Sequence, residues 1–197
     1  MAELGVEEDI AFIRRTVEGG RVYARGRSAD MLVWGLFVAG GYLHNYAYHR
    51  HWSSIDPNWI WLFVIALPWL YSLRGVATRL VSGSRPARSP MATALSMLWL
   101  ACGVSLATLA ITGHWGDVAA NWYDSAVAAI LAIAFFAGSF LCNLAWMRVV
   151  AFAWWAGEFV LHALSDNPNV ALVGAAMMLL FLAGPGLVLL TSSRTQA

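Results

Sequence analysis

The stretch that decides the fold is Val170-Ala-Leu-Val-Gly-Ala-Ala-Met-Met-Leu-Leu-Phe-Leu-Ala-Gly-Pro-Gly-Leu-Val-Leu-Leu-Thr191, which carries no charged side chain. An uncharged apolar run of that length matches the ~30 Å hydrocarbon core of a bilayer at ~1.5 Å of helix rise per residue. It is not isolated. Five comparable segments precede it, roughly Ala29–Tyr48, Trp59–Val81, Met91–Thr112, Tyr123–Asn143 and Met147–Leu164. The whole chain of 197 residues is 60% hydrophobic and 12% charged, against ~25% charged in soluble domains, and its mean hydropathy is +0.63. The reading is an all-α membrane protein: a six-helix transmembrane bundle over 29–193, preceded by a cytoplasmic amphipathic helix over 1–28.

Charge placement tests that count. All twelve basic residues are arginine. With six spans and the N-terminus inside, Arg14, Arg15, Arg21, Arg25, Arg27, Arg74, Arg79, Arg85, Arg88, Arg148 and Arg194 fall on the inner side, and Arg50 falls outside. That asymmetry fits the positive-inside rule and places both termini in the cytoplasm. The joint around Asn143 to Arg148 decides between six spans and five, since one bent helix there would carry Arg194 to the other side. No leader is expected ahead of the first span, because the N-terminal stretch has mixed charge and no short apolar run.

That stretch holds ten of the 23 charged residues between Glu3 and Arg27. Val6, Ile10, Ile13 and Val17 recur at helical spacing, which predicts an amphipathic helix lying on the membrane or docking on the bundle, with Gly19-Gly20 as its stop. Asp56-Pro57 and Asn167-Pro168 each read as an N-cap followed by proline at the first helical position. Pro68 and Gly184-Pro185-Gly186 are expected to kink their helices. Ser82 to Pro90 reads as a flexible connection. Cys102 and Cys142 lie in apolar segments at different depths, which predicts two packing thiols and no disulfide.

Several function classes are excluded by composition. Without lysine there is no Schiff base to retinal or pyridoxal phosphate. A formal charge of +1 supplies no field for nucleic acid, which is not expected as a partner. No nucleotide loop, nucleophile elbow or metalloprotease motif is present, so the chain is read as non-enzymatic, with a membrane hydrolase the distant exception.

Two constellations remain. The histidines His44, His49, His51, His114 and His162 all fall near the outer face, level with Asp56, Asp117, Asp124 and Asp166. They serve either as the polar residues of loops that exclude arginine or as ligands for a metal or haem; no cofactor is required by the sequence. Glu158 stands about ten residues, ~15 Å of rise, beyond Arg148. A carboxyl at that depth needs a partner, and His162 is one turn away on the same face. The pair reads as a site for a proton, cation or polar headgroup, or as a structural hydrogen bond.

Eleven tryptophans are present. Trp52, Trp59, Trp61, Trp115 and Trp122 are assigned to an outer aromatic belt and Trp146 to the inner boundary. The deeper Trp34, Trp69, Trp99, Trp154 and Trp155 are assigned to packing, with indole N–H groups finding carbonyls freed at kinks. Gly35, Gly40 and Gly41, and Ala132, Ala134, Ala137 and Gly138, sit at spacings that permit close helix approach. The partners expected are therefore membrane lipid and other membrane subunits or a second copy.

Glu8-Asp9-Ile10-Ala11-Phe12-Ile13-Arg14, Trp34-Gly35, Trp154-Trp155-Ala156-Gly157 and Pro185-Gly186 resemble a loose group of small bacterial multi-pass inner-membrane proteins. The resemblance implies location and carries no activity. The function expected is an accessory or scaffold subunit of a membrane complex. The alternative is a small carrier or binding protein using Glu158, His162, His44 and His114.

Overall fold

The computed structural model describes residues 18–82, 90–115 and 120–194, and among these there are helices and no strand. Residues 18–26 are helical and lead through a turn at Arg27 into α1 (Ser28–His49). There follow α2 (Pro57–Ser82), α3 (Pro90–Trp115), α4 (Ala120–Leu141), α5 (Trp146–Ala163), α6 (Val170–Met178) and α7 (Gly184–Arg194). A π-helical turn, Leu179–Ala183, joins α6 to α7, so 170–194 is one continuous rod. The stripe Val6, Ile10, Ile13 and Val17 lies outside the described residues, as does most of the Ser82–Pro90 connection.

Helix starts follow local chemistry. The Asn58 N–H donates to Asp56 Oδ1 at 2.8 Å, so the Asp56 carboxylate caps the first turn of α2 beside Pro57. Asn167-Pro168 does not open α6 as expected: the helix begins at Val170 with Asn169 as its N-cap residue, and the Asn169 N–H donates to Asn167 Oδ1 at 2.9 Å in the turn before it. At the α4–α5 joint Asn143 takes a left-handed φ of 51°, a conformation asparagine tolerates. The chain therefore forms two helices there and not one bent helix.

Gly19-Gly20 does not stop the leading helix, contrary to expectation. The helix runs through to Gly26 because the missing side chain at Gly20 lets it press on the backbone of Leu141 and Cys142 at the α4–α5 joint. Close packing, not a helix end, explains that glycine.

The core follows helical stripes. Ala128, Leu131, Ala132, Phe135 and Ser139 are all buried along α4, with Cys142 just past its end, and Met147, Ala151, Trp154, Gly157 and Leu161 along α5. Those spacings of three and four define one face of each helix. The two helices pack against each other more extensively than any other pair, α3 packs on α4, and α1 packs on both α2 and the rod 170–194. Gly35 and Gly186 allow close approach between α1 and the rod. A β-carbon at Gly35 would fall 2.7 Å from that of Ala183, and one at Gly186 would fall 2.8 Å from the Ser28 carbonyl. Gly41 meets Trp61, whereas Gly40 faces open space. Cys102 and Cys142 are both buried and free.

Three helices, not six, are long and apolar enough to cross a membrane among the described residues: Pro90–Ile111, Trp122–Leu141 and Val170–Ser192. The expected six is corrected on this measure for a compositional reason. In α1 the apolar face is diluted by Asp30, His44, Asn45 and His49. In α2 the side chains are described only as far as Arg74, and that stretch includes Pro57, Asn58, Pro68, Ser72 and Arg74. α5 has 18 residues and includes Arg148 and Glu158. Large apolar side chains are nonetheless exposed on these helices too, including Phe37, Leu43, Leu62, Phe63, Phe152 and Phe159.

Candidate functional site

Successive helices run alternately up and down, which sorts the polar residues to two ends. At one end the last turns of α1 meet the first turns of α4 and α6; at the other the leading helix meets the α4–α5 joint and the end of α7. The first end holds the histidines, the second most of the described arginines.

At the histidine end the sequence-derived candidates are spread out. His44 Nε2 lies 3.1 Å from the Ile55 carbonyl, a hydrogen bond in the tautomer that protonates that nitrogen. His49 lies edge-on to Tyr48. His51 is exposed in the turn with φ of 60°. His162 is exposed, its ring 5.4 Å from that of Trp122. The side chains of His114 and Trp115 lie outside the described residues. Glu158 is half-buried, and among the described residues no hydrogen bond or ion pair joins it to His162. No three His, Cys, Asp or Glu side chains come together as a metal-binding group among the described residues.

Trp52, Trp59 and Trp122 are exposed at this end. Trp61 is half-buried and turned inward, edge-on to Tyr42 with ring centroids 5.3 Å apart.

The polar contact that the structure does build there joins two helices that sequence reading left apart. The Tyr42 hydroxyl donates to Asp124 Oδ1 at 2.6 Å, linking α1 to α4. Tyr42 is buried and lies under Gly174 of α6, where a β-carbon would come within 2.8 Å of its ring. Next to Asp124, the buried Ser125 hydroxyl has no hydrogen-bond partner among the described residues. The only sequence signal was an aspartate just inside an apolar segment, the same signal that singled out Glu158.

The deep tryptophans have partners within the chain. Trp34 Nε1 donates to Ser72 Oγ at 3.2 Å and its ring lies edge-on to Trp69. Trp99 packs edge-on against Phe135, and Trp155 packs against Phe136 and Phe152. Trp154 is fully buried, and its Nε1 donates to the Phe181 carbonyl at 3.2 Å. In an α-helix that carbonyl would accept from residue 185, which is proline and has no N–H. The indole supplies the missing donor, as expected for a carbonyl freed at a kink.

At the opposite end the arginines are individually placed. Arg27 pairs with Asp30 at 2.6 Å. Burial lowers its pKa, but the bond to Asp30 and the neighbouring Tyr23 outweigh that and hold it above the ordinary range. Arg74 stacks on Tyr71 and Arg148 lies over Phe140. Arg21 Nη2 donates to the Asn143 carbonyl at 3.3 Å. Arg21 and Arg25 also border a cavity of about 210 Å³, with Trp146 and the end of α7 completing its wall.

No protein-family model matches the chain, and no curated protein or solved structure is similar to it.

Proposed function

We propose that the chain is a non-enzymatic, multi-pass protein of the bacterial inner membrane, with six crossings and both termini in the cytoplasm, that acts as an accessory or scaffold subunit of a membrane complex. Packing supports the six crossings. α1 lies lengthwise against the rod 170–194, touching it at Tyr42, Gly35 and Leu32, so if that rod crosses, α1 lies at the same depth. α5 stands in the same relation to α4, and α2 to α1.

The observation that carries association is α3. It packs chiefly on α4, with Met91 beside Gly20 of the leading helix and Gly103 near Trp69 of α2, and only 11% of its apolar window is buried within the chain. Its exposed face includes Ala94, Ala101, Ser105 and Thr108, small residues of the kind that let a neighbouring membrane helix approach closely. Of the other small residues, Gly35 and Gly41 are already used inside the bundle, and Gly40 faces open space.

A second reading, a small carrier or binding protein, draws support from the Tyr42–Asp124 bond beside the Ser125 hydroxyl, which has no partner among the described residues, with Glu158 and His162 at the same end. One experiment separates the two. Protein extracted gently from its native membrane is examined by native mass spectrometry, metal analysis and absorbance. A defined partner or self-association, reduced by Ala101→Phe, is the expected result. Monomers carrying a stoichiometric metal or chromophore would replace the scaffold reading with the carrier one, and bare monomers without a partner would end the scaffold reading.

A further inference from the structure

The cavity at the arginine end has the make-up of an anion site. Arg21 and Arg25 project from one side of the leading helix, four residues apart and hence one turn apart. Opposite them stand Leu144 and Trp146 of the α4–α5 joint, and the end of α7 closes the site with Leu189 and Ser192. The wall thus sets two arginines and a serine against four apolar side chains, Val188 among them.

The two arginines differ from the others at this end. Arg27 is neutralised by Asp30, and Arg74 and Arg148 lie over aromatic rings. Among the described residues no carboxylate pairs with Arg21 or Arg25, and Arg21 is steadied by its bond to the Asn143 carbonyl. Two guanidinium groups with unused donors beside a cavity match the oxygens of a phosphate group, which arginine recognises through paired N–H bonds. The volume of about 210 Å³ falls short of the ~300 Å³ at which drug-sized ligand sites begin. It accommodates a headgroup and leaves any acyl chains outside, along the apolar surface of Val188 and Leu187, both exposed on α7.

We propose that Arg21 and Arg25, with Trp146 and Ser192, form a binding site for the phosphate of an anionic phospholipid, which clamps the leading helix to the α4–α5 joint and the end of α7. A lipid is favoured over a free anion because the cavity opens beside exposed apolar side chains and Trp146, a residue type that favours the headgroup level. The proposal rests on the membrane reading and is independent of association with other subunits.

The test uses the full chain, delipidated in mild detergent, with thermal unfolding followed as lipid is added back. Phosphatidylglycerol is expected to raise the midpoint, and phosphatidylcholine to raise it less. The difference is expected to vanish in Arg21→Gln/Arg25→Gln and to persist in Arg50→Gln at the other end. Should the double variant fail to fold, Val188→Trp keeps both arginines and crowds the cavity, and it too is expected to remove the phosphatidylglycerol preference. A preference retained in both variants, or absent from the wild type, overturns the site. Inorganic phosphate reproducing the full effect overturns lipid as the occupant. Equal stabilisation by both lipids refutes the site while leaving the membrane reading intact, whereas indifference to any lipid or detergent counts against the membrane reading itself.

Discussion

The Tyr42–Asp124 bond is the clearest case of one residue pair holding helices together. Its 2.6 Å length and its carboxyl acceptor mark a strong bond, and it spans 82 residues of sequence. Interhelical hydrogen bonds in membranes couple by about 0.6 kcal/mol on average, with a maximum near 1.7 kcal/mol; this one is expected toward the upper end because its donor is fully enclosed. Tyr42→Phe should lower the unfolding free energy by roughly 1 kcal/mol, and Asp124→Asn by less, since an amide oxygen still accepts. A double-mutant cycle on the two positions measures the coupling, and a value indistinguishable from zero would show that the bond is incidental to packing. Nothing local in the sequence gives this pair, because its existence depends on α1 and α4 being neighbours. The capping by Asp56, by contrast, was legible, since donor and acceptor lie two residues apart. The same distinction separates Arg21 and Arg25, visible as inner-side charges, from the cavity they border, which exists only once the leading helix meets the α4–α5 joint.

At the scale of elements, the π-helical turn before Pro185 shows how a helix defect is built into packing. The proline removes the donor for the Phe181 carbonyl, and Trp154 of α5 replaces it. The prediction is non-additivity. Trp154→Phe should destabilise the protein by about 1 kcal/mol or more, from the lost bond and the smaller ring. In a Pro185→Ala background, where residue 185 regains an N–H near the same carbonyl, the same change should cost less, since the ring-size contribution is common to both backgrounds. Equal losses in the two backgrounds, measured by denaturant unfolding in detergent, would mean that indole and proline do not serve the same carbonyl. Proline and tryptophan were both visible in sequence, and the kink was expected within Gly184-Pro185-Gly186. The irregular turn lies immediately before it, at Leu179–Ala183. Gly19-Gly20 misled for a related reason. A glycine pair ends a helix when nothing packs on it, and permits close contact when something does, and the local sequence is the same in both cases.

For the whole molecule, the decisive question is how many helices cross. Hydropathy admits α3, α4 and the rod 170–194; lengthwise packing argues that α1, α2 and α5 go with them. The weakest member is α5, whose 18 residues rise ~27 Å and include Arg148 and Glu158. Arg148 lies near the start of α5, where a long side chain can reach the headgroups, and His162 lies in its last turn at the other boundary, so Glu158 is the ionisable group held at depth, at a cost of about 2.5–3.5 kcal/mol if charged. That is a modest penalty against the loss of the extensive α4–α5 interface, and crossing is therefore expected. Alkaline-phosphatase fusions after Trp52 and after Asn167 should be active, and fusions after Leu144 and at Ala197 inactive, since the enzyme matures only outside the cytoplasm. The pair Leu144 and Asn167 isolates α5: equal activity at the two positions would show that it stays on one side. The fusion after Trp52 tests α1 in the same way. An inactive enzyme there would confine α1 to the cytoplasmic face, although it packs along the rod, and the histidine end and the arginine end would then no longer lie on opposite sides of the bilayer.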